Sequence, residues 1–162
     1  MKKTLVVAAW AVLAAGFAHA NDPNAAIDAL NSRLAKIGAP RIEGTAKVGE
    51  RNTPAIYFGD RRINNNYDVV DEIKKTTGAT ATVFVKDGEE FTRVSTNVLT
   101  PEGKRGVGTQ LARNKAYEAV SKGGKFCGAV DVLGTAYDTC YHAIKDASGK
   151  VIGVTYIGFK KS

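Results

Sequence analysis

Three polar side chains at alternate positions of one short segment have the chemistry to bind a small anion. Arg93, Ser95 and Asn97 lie within residues 91–98, where a period of two predicts a β-strand. Alternate residues of a strand point to the same side, so the pattern places all three on one face. A forked cation beside a hydroxyl and an amide suits a ligand that carries a carboxylate. The solvent-exposed face of a half-buried strand would give the same pattern.

A second set of candidate ligand contacts lies nearer the C-terminus. Tyr137, Thr139 and Tyr141 alternate along the predicted strand 135–144 and therefore share one of its faces. A tyrosine combines an apolar ring with a hydroxyl, which is common in pockets that hold small organic ions. Packing of the two rings against a helix would explain the same residues, and the sequence leaves both explanations open.

The glycine-rich segment at residues 103–109 offers one further candidate. It reads GKRGVGT, and it has neither the Walker spacing nor a surrounding dinucleotide-binding βαβ unit. Thr109 is predicted to cap a helix that runs to Ser121, whose free N–H groups could meet an anion. The segment therefore predicts a contribution from Thr109 to anion binding, and no nucleotide site.

Two carboxylates and a histidine are predicted on the face opposite the tyrosines. Asp131 and Asp138 meet only diagonally across the predicted hairpin, and His142 lies further along the same face. Two aspartates with one histidine are few ligands for zinc, although calcium accepts oxygen ligands. Solvated surface explains these residues better than a metal site. Because residues 21–162 contain one histidine, no catalytic set can be assembled around it, and we expect neither an enzyme nor a cofactor.

The two cysteines are predicted to form a disulfide. If Leu133 and Gly134 are the two-residue tip of a hairpin, Cys127 lies opposite Cys140 in a non-hydrogen-bonded pair. The Cα atoms of such a pair approach to about 4.5 Å, which is within disulfide range. Free thiols are the alternative. The spacing is unlike the C-x-x-C motif of redox catalysts.

The first twenty residues have the features of an export signal. Two lysines precede an apolar run of ~13 residues, which is short of the ~20 that a spanning helix needs. An Ala-His-Ala sequence ending at Ala20 supplies the cleavage site. We therefore expect cleavage after Ala20 and one periplasmic domain over residues 21–162, with an uncleaved anchor as the alternative.

The positive charge of the chain does not indicate nucleic-acid binding. The formal net charge of +7 falls to +5 once the two lysines of the export signal are removed. The remaining basic residues form dispersed pairs, with no aromatic residues alternating between them. Dispersed pairs of this kind are typical of a solvated surface, and a weak attraction to anionic lipid headgroups or to an acidic partner stays open.

The order of the periodic segments predicts an α+β fold. Helices are expected at residues 22–38, 66–77 and 109–121, the second of them with a capping box formed by Asn65 and Asp68. Successive antiparallel strands are expected at residues 80–86, 91–98, 125–132, 135–144 and 150–159. Residues 39–54 show little periodicity and predict a long connection or short irregular strands, followed by a short strand at 55–59.

Four blocks of the sequence resemble Cache sensor domains. They read GATATVFVKDGEEFTRVSTNV, GVGTQL, FCGAVDVLGTAYDTCYHAI and DASGKVIGVTYIGF, in this order. The resemblance is to the Cache 3/Cache 2 fusion type found outside the membrane in bacterial chemoreceptors and sensor kinases, and it covers about residues 55–159. It implies a PAS-like antiparallel sheet of about five strands with an N-terminal helix packed across it.

The resemblance also implies a pocket on one face of the sheet, where such domains often bind a carboxylate. Residues 93–98 match the family block without a gap, and Gly-Thr-x-Leu at 108–111 matches a loop that borders the pocket. The chain departs from the family at Tyr141-His142-Ala143, where Tyr-Glu-Pro is usual, and at Cys127, where an aromatic residue is usual. Both departures flank the pocket, so the identity of the ligand does not carry over.

Together these observations predict an exported, free-standing sensor domain that binds a small carboxylate. Arg93 would pair with the carboxylate, Ser95 and Asn97 would orient it, and Tyr137 and Tyr141 would form the walls. Signal transduction, as in chemotaxis, would then pass through a membrane receptor, kinase or cyclase. The alternative is a constitutive periplasmic interaction protein that modulates a membrane receptor and has no functional pocket. The sequence does not predict the oligomeric state.

Overall fold

The computed structural model describes residues 21–162. The predicted export signal at residues 1–20 lies outside the described residues, so cleavage after Ala20 stays a prediction. Within residues 21–162, no helix has both the length and the apolar composition needed to cross a membrane.

The described chain contains three helices and eight strands. The helices are α1 (Pro23–Ile37), α2 (Asp68–Thr77) and α3 (Lys115–Ser121). The strands are β1 (Pro40–Val48), β2 (Arg51–Phe58), β3 (Arg61–Arg62), β4 (Thr80–Asp87), β5 (Glu90–Thr96), β6 (Lys125–Val132), β7 (Thr135–Lys145) and β8 (Val151–Lys160).

The strands form two antiparallel sheets. The larger sheet has the order β5-β4-β8-β7-β6, and the smaller one has the order β1-β2-β3. Helix α1 packs across β7 and β8 of the larger sheet. The α+β class, the sheet of five strands and the N-terminal helix across it are therefore confirmed.

Helix α1 forms as its sequence predicts. Asp22 accepts a hydrogen bond from the backbone N–H of Asn24 at 2.9 Å, and Pro23 occupies the first turn, where its missing N–H costs nothing. Ile27, Leu30 and Leu34 recur at helical spacing and are fully buried against the sheet. This stripe anchors the helix across the sheet.

The larger sheet carries a different core on each face. On the face covered by α1 and α2, here called the helix face, the core is mostly aliphatic, and Leu30 and Ile157 are among its members. The other face, here called the aromatic face, is covered by α3 and by the loop of residues 97–114. Its core contains Phe84, Phe91, Tyr137, Tyr141 and Tyr156.

The sequence-based prediction for residues 39–54 was incomplete. The segment contains the whole of β1 and the start of β2, which form a hairpin. Only Ala46 and Val48 of β1 are buried, because the smaller sheet leaves most of this strand in solvent. A strand that buries so little has no apolar alternation for a sequence pattern to detect.

The starts of α2 and α3 also differ from the predictions. Asn65 does not form a capping box with Asp68: its side chain donates to the carbonyl of Lys47 at 2.9 Å, while Asn66 accepts from the N–H of Asp68. Helix α3 begins at residue 115 rather than 109, with Asn114 as its cap.

Residues 109–111 are extended, not helical. The N–H of Arg93 donates to the carbonyl of Thr109 at 2.8 Å, and the N–H of Leu111 donates to the carbonyl of Phe91 at 2.9 Å. The segment thus pairs with β5, and these bonds replace the intrahelical ones that the sequence suggested.

The hairpin of β6 and β7 has the predicted register. Cys127 pairs with Cys140 and forms a disulfide with it, with the two Cα atoms 4.1 Å apart. Leu133 and Gly134 form the two-residue tip, both with positive φ (51° and 88°), as in a type I′ turn. The carboxylate of Asp131 fixes this turn by accepting from the N–H of Gly134 at 2.9 Å. The predicted disulfide is confirmed.

Candidate ligand site

A β-bulge separates Arg93 from the other polar residues of its strand. Val83 pairs with Ser95 and the next residue, Phe84, pairs with Arg93, so Val94 is an extra residue in β5. Arg93 therefore lies on the aromatic face, with its guanidinium carbon 4.8 Å from the centre of the Phe84 ring. The prediction that Arg93 and Ser95 share one face is wrong, because the bulge interrupts the alternation.

Ser95 and Asn97 lie on the helix face and fasten α2 to the sheet. The hydroxyl of Ser95 donates to the carbonyl of Asn66 at 2.6 Å, just before α2. The amide of Asn97 donates to the carbonyl of Val70 at 2.7 Å and accepts from the N–H of Ala81 at 2.8 Å. In this conformation the two side chains cannot orient a ligand that is held by the guanidinium on the opposite face.

Arg93 is a buried cation with incomplete hydrogen bonding. Its side chain is 4% exposed, and Nη1 donates to the hydroxyl of Thr109 at 3.0 Å and to the carbonyl of Gln110 at 3.2 Å. The Nε–H has no partner, and no carboxylate of residues 21–162 forms an ion pair with this guanidinium. Burial lowers the pKa of Arg93 from its ordinary value, and the nearby phenols of Tyr141 and Tyr156 offset part of that effect.

The tyrosine set of β7 contributes to the same face. The rings of Tyr141 and Tyr156 lie 5.0 Å apart, and Tyr137 belongs to the same buried cluster. Between them along β7, the hydroxyl of Thr139 donates to the carbonyl of Gly128 at 2.7 Å. Burial raises the pKa of Tyr137, Tyr141 and Tyr156, so all three phenols are neutral at physiological pH. The predicted shared face of the tyrosines is confirmed.

Thr109 reaches the site through the loop and not as a helix cap. Its hydroxyl accepts from Nη1 of Arg93 and donates to the carbonyl of Gly106. The structure thus brings Thr109, Arg93 and Tyr141 to one face. The prediction that Thr109 acts as a helix cap was wrong, because Asn114 caps α3.

An open cleft of about 590 Å³ lies beside this cluster, between the start of α3 and β6. None of the predicted ligand residues lines it. Its nearest link to them is Phe126, whose ring centre lies 6.4 Å from that of Tyr141. The lining residues are Ala112, Asn114, Lys115, Ala116, Phe126, Ala129, Val130 and Asp131.

Sequence reasoning missed three neighbours of Arg93. Phe84 and Tyr156 lie in β4 and β8, which are buried along most of their length, so their apolar runs could have indicated that both rings are buried. The carbonyl of Gln110 carries no sequence signal, because any residue type supplies a backbone acceptor. Its position depends on the extended loop, which was predicted as helix.

The acidic residues and the histidine of the hairpin do not come together. Asp131 and Asp138 are exposed, and Asp138 pairs with Lys161 at 3.5 Å. His142 is buried beneath α1, where its Nδ1 lies 2.9 Å from the amide nitrogen of Asn31. In the described part of the chain, no group of three or more His, Cys, Asp or Glu residues is placed to hold a metal ion.

An antiparallel sheet of five strands with an N-terminal helix packed across one face is a PAS-like fold. The family model described as Cache 3/Cache 2 fusion domain matches residues 20–162. The chain therefore belongs to the Cache 3/Cache 2 fusion domain family. The match includes α1 and the smaller sheet, beyond the residues 55–159 on which the resemblance depended. A search of the curated proteins finds no match to this chain.

Membership fixes the general class. Cache domains are sensory rather than catalytic, are typically extracellular or periplasmic, and generally bind small molecules in partnership with membrane receptors.

Proposed function

We propose that this chain is an exported sensor domain that binds a small carboxylate or a similar anionic metabolite and signals through a membrane partner. The observation that carries the proposal is the buried guanidinium of Arg93, with an unpartnered Nε–H and no acidic residue paired with it. Its position on the aromatic face, together with the Cache family match, supports a ligand-binding role.

An unpaired buried charge such as that of Arg93 destabilises the unliganded protein. Removing an ion from water costs several kcal/mol even after relaxation, and the described residues of this chain supply Arg93 with two neutral acceptors only. A ligand carboxylate would offer two charged oxygens in the geometry that a guanidinium binds best. Arg93 is therefore the residue on which ligand affinity should depend most strongly.

Binding would require the loop of residues 97–114 to move. Nη1 of Arg93 now donates its hydrogen bonds to Thr109 and Gln110. Arg93 does not line the cleft beside α3. A carboxylate that replaced these two acceptors would favour a conformation in which the loop has shifted. A ligand shifts such an equilibrium only through its different affinity for the two conformations, and this difference is what a membrane partner would detect.

The alternative function, a constitutive interaction protein, is favoured by the dense packing of the aromatic face. Phe84, Tyr141 and Tyr156 are each at most 1% exposed, so their rings fill the space that a ligand would occupy. In that case Arg93 would serve packing alone, and the protein would modulate its membrane partner without a ligand.

A thermal-shift screen of the purified, disulfide-bonded protein separates the two functions. We expect one class among small carboxylates, amino acids and purines to raise the melting temperature with concentration, because a ligand at 100 times its Kd stabilises the native state by about 2.7 kcal/mol. Arg93→Ala should abolish this rise. Arg41→Ala is the matched control, because Arg41 also lies over an aromatic ring (4.5 Å from Tyr57) but is only partly buried and already pairs with Glu43.

A flat response of the wild-type protein across the whole library would contradict ligand sensing. It would favour the constitutive function, which capture of the membrane partner would then test directly. A response that survives in Arg93→Ala would place the ligand elsewhere on the molecule.

A further inference from the structure

The outer edge of β6 is an unpaired strand edge. β6 is the last strand of the larger sheet, is eight residues long, and has no further strand of residues 21–162 beside it. Proteins usually protect such an edge with proline, a bulge or a charge in its middle. The middle of this edge is Gly128 and Ala129, and its charges, Lys125 and Asp131, lie toward its two ends.

The hydrogen-bond phase of the hairpin determines which groups of β6 point outward. Gly124 accepts from the N–H of Ala143 at 3.1 Å, and Val132 pairs with Thr135 across the turn, so the even-numbered residues of β6 bond to β7. The odd-numbered residues therefore direct their N–H and C=O groups away from the sheet. They are Lys125, Cys127, Ala129 and Asp131.

This phase limits how β6 could pair with the same strand of a second copy. In an antiparallel pair the outward groups must meet outward groups, so only odd-numbered residues can oppose one another. Centred on Gly128, the pairing places Lys125 opposite Asp131 of the second copy, and by symmetry Asp131 opposite Lys125 of the second copy. Centred one residue to either side, on Cys127 or on Ala129, it leaves both charges without an opposite partner.

The charges of β6 are available for this register. Neither Lys125 nor Asp131 takes part in an ion pair within residues 21–162. Between them, Phe126 would oppose Val130 of the second copy. Both are only partly buried against the aromatic core, so the pairing would cover apolar surface that is now in solvent. Opposite charges and apolar pairs across strands both stabilise a sheet.

We infer that the protein forms a two-fold symmetric dimer in which β6 pairs with β6 of a second copy about Gly128. The two larger sheets become one continuous sheet. The cleft beside α3 is lined by Phe126, Ala129, Val130 and Asp131, so it opens at this interface. The partner of this edge is thus a second copy of the chain. It fits because Lys125 meets Asp131, Phe126 meets Val130 and Gly128 meets Gly128 when two copies of β6 pair.

Sedimentation over a range of concentrations tests the dimer with two independent variants. Ala129→Pro removes an outward N–H that makes no bond to β7, so it blocks the edge while the hairpin stays intact. Lys125→Glu places like charges opposite each other twice and should raise the dimer dissociation constant about tenfold. Adding Asp131→Lys to Lys125→Glu exchanges the charges and should restore dimerisation, provided that circular dichroism shows the variant to be folded, because Asp131→Lys also removes the hydrogen bond from the N–H of Gly134. Lys36→Glu, on exposed α1 surface, is the matched control.

The expected result is a wild-type dimer that Ala129→Pro abolishes, Lys125→Glu weakens and the charge exchange restores. A wild-type monomer at every concentration would overturn the proposal and leave the edge to an extended segment of another protein. A dimer that is indifferent to Ala129→Pro and Lys125→Glu would also overturn it. If Ala129→Pro fails to fold by circular dichroism, the Lys125 variants still decide, because Lys125 makes no internal ion pair.

Discussion

The two faces of the larger sheet differ in the hydrogen bonding of their buried polar side chains. On the helix face, Ser95 and Asn97 reach backbone partners of α2 and β4, and the bonds hold those elements together. On the aromatic face, Arg93 from the same strand has an unpartnered Nε–H and no opposite charge. The only other buried polar side-chain atom without a partner among residues 21–162 is the neutral hydroxyl of Thr92. Thr92 pairs with Val85 and so lies on the helix face, where the unpartnered atom is neutral, whereas on the aromatic face the unpartnered atom belongs to a cation.

The largest change in stability should come from removing the disulfide, one of whose cysteines belongs to the helix-face core. Cys140 is fully buried in that core, and the bond closes a short loop with a sequence separation of 13. Loss of such a cross-link costs about 3 kcal/mol in the chain-entropy account. We expect Cys127→Ser with Cys140→Ala to lower the free energy of unfolding by this amount in urea titrations. An unchanged unfolding midpoint would show that the hairpin needs no cross-link.

Asn97 provides the sharpest test of the helix face. Asn97→Ala leaves the N–H of Ala81 and the carbonyl of Val70 without their side-chain partner in a buried place, at a cost of about 1–3 kcal/mol. Asn52→Ala, at an exposed position of β2, should change the free energy of unfolding by no more than about 0.5 kcal/mol. Carboxylate binding, if Arg93 carries it, should survive in both. Loss of binding in folded Asn97→Ala would instead assign Asn97 to the ligand.

The smallest effect concerns His142, which is buried on the helix face. Burial and the charge of Lys125 lower the pKa of His142, while Asp28 opposes them. The folded protein therefore binds this proton less readily than the unfolded chain. The resulting stability is complete above about pH 6.5, the ordinary histidine value, and is lost as the pH falls through the lowered pKa. Unfolding measured between pH 7.5 and 5 should show this decline.

His142→Asn is the matched variant for that measurement. Its side-chain oxygen can accept from the amide of Asn31, as Nδ1 of His142 does now, but it does not titrate. We expect a flatter dependence of stability on pH in the variant. An identical slope in both proteins would assign the pH dependence to other groups.

Local sequence patterns predict much of this fold. The β6–β7 hairpin was predictable because Leu133-Gly134 suits a two-residue turn, and the turn then dictates the pairing of Cys127 with Cys140. Helix α1 was predictable because a cap, a proline and an apolar stripe agree. Where several local signals indicate the same structure, a sequence specifies it strongly.

The parts that sequence could not supply depend on long-range contacts. The bulge at Val94 has no local signature, yet it moves Arg93 to the face opposite Ser95 and so decides which residues can share a site. Residues 109–111 belong to a segment predicted as helix, but pairing with β5 extends them. In both cases the backbone partners are distant in sequence. The period of apolar residues within one segment, whether two or 3.6, gives no information about such partners.

We propose that Arg93 binds an anion and does not stabilise the unliganded fold. The most direct test compares wild-type protein with Arg93→Met by urea unfolding, with and without a panel of mono-, di- and tricarboxylates. Replacing an uncompensated buried charge by an apolar side chain of similar length should leave the unliganded protein equally stable or stabilise it by about 1–4 kcal/mol. Stabilisation by the carboxylate should disappear in the variant. An unliganded variant that is markedly less stable, yet responds to the carboxylates as the wild type does, would show that Arg93 stabilises the fold and does not bind the ligand.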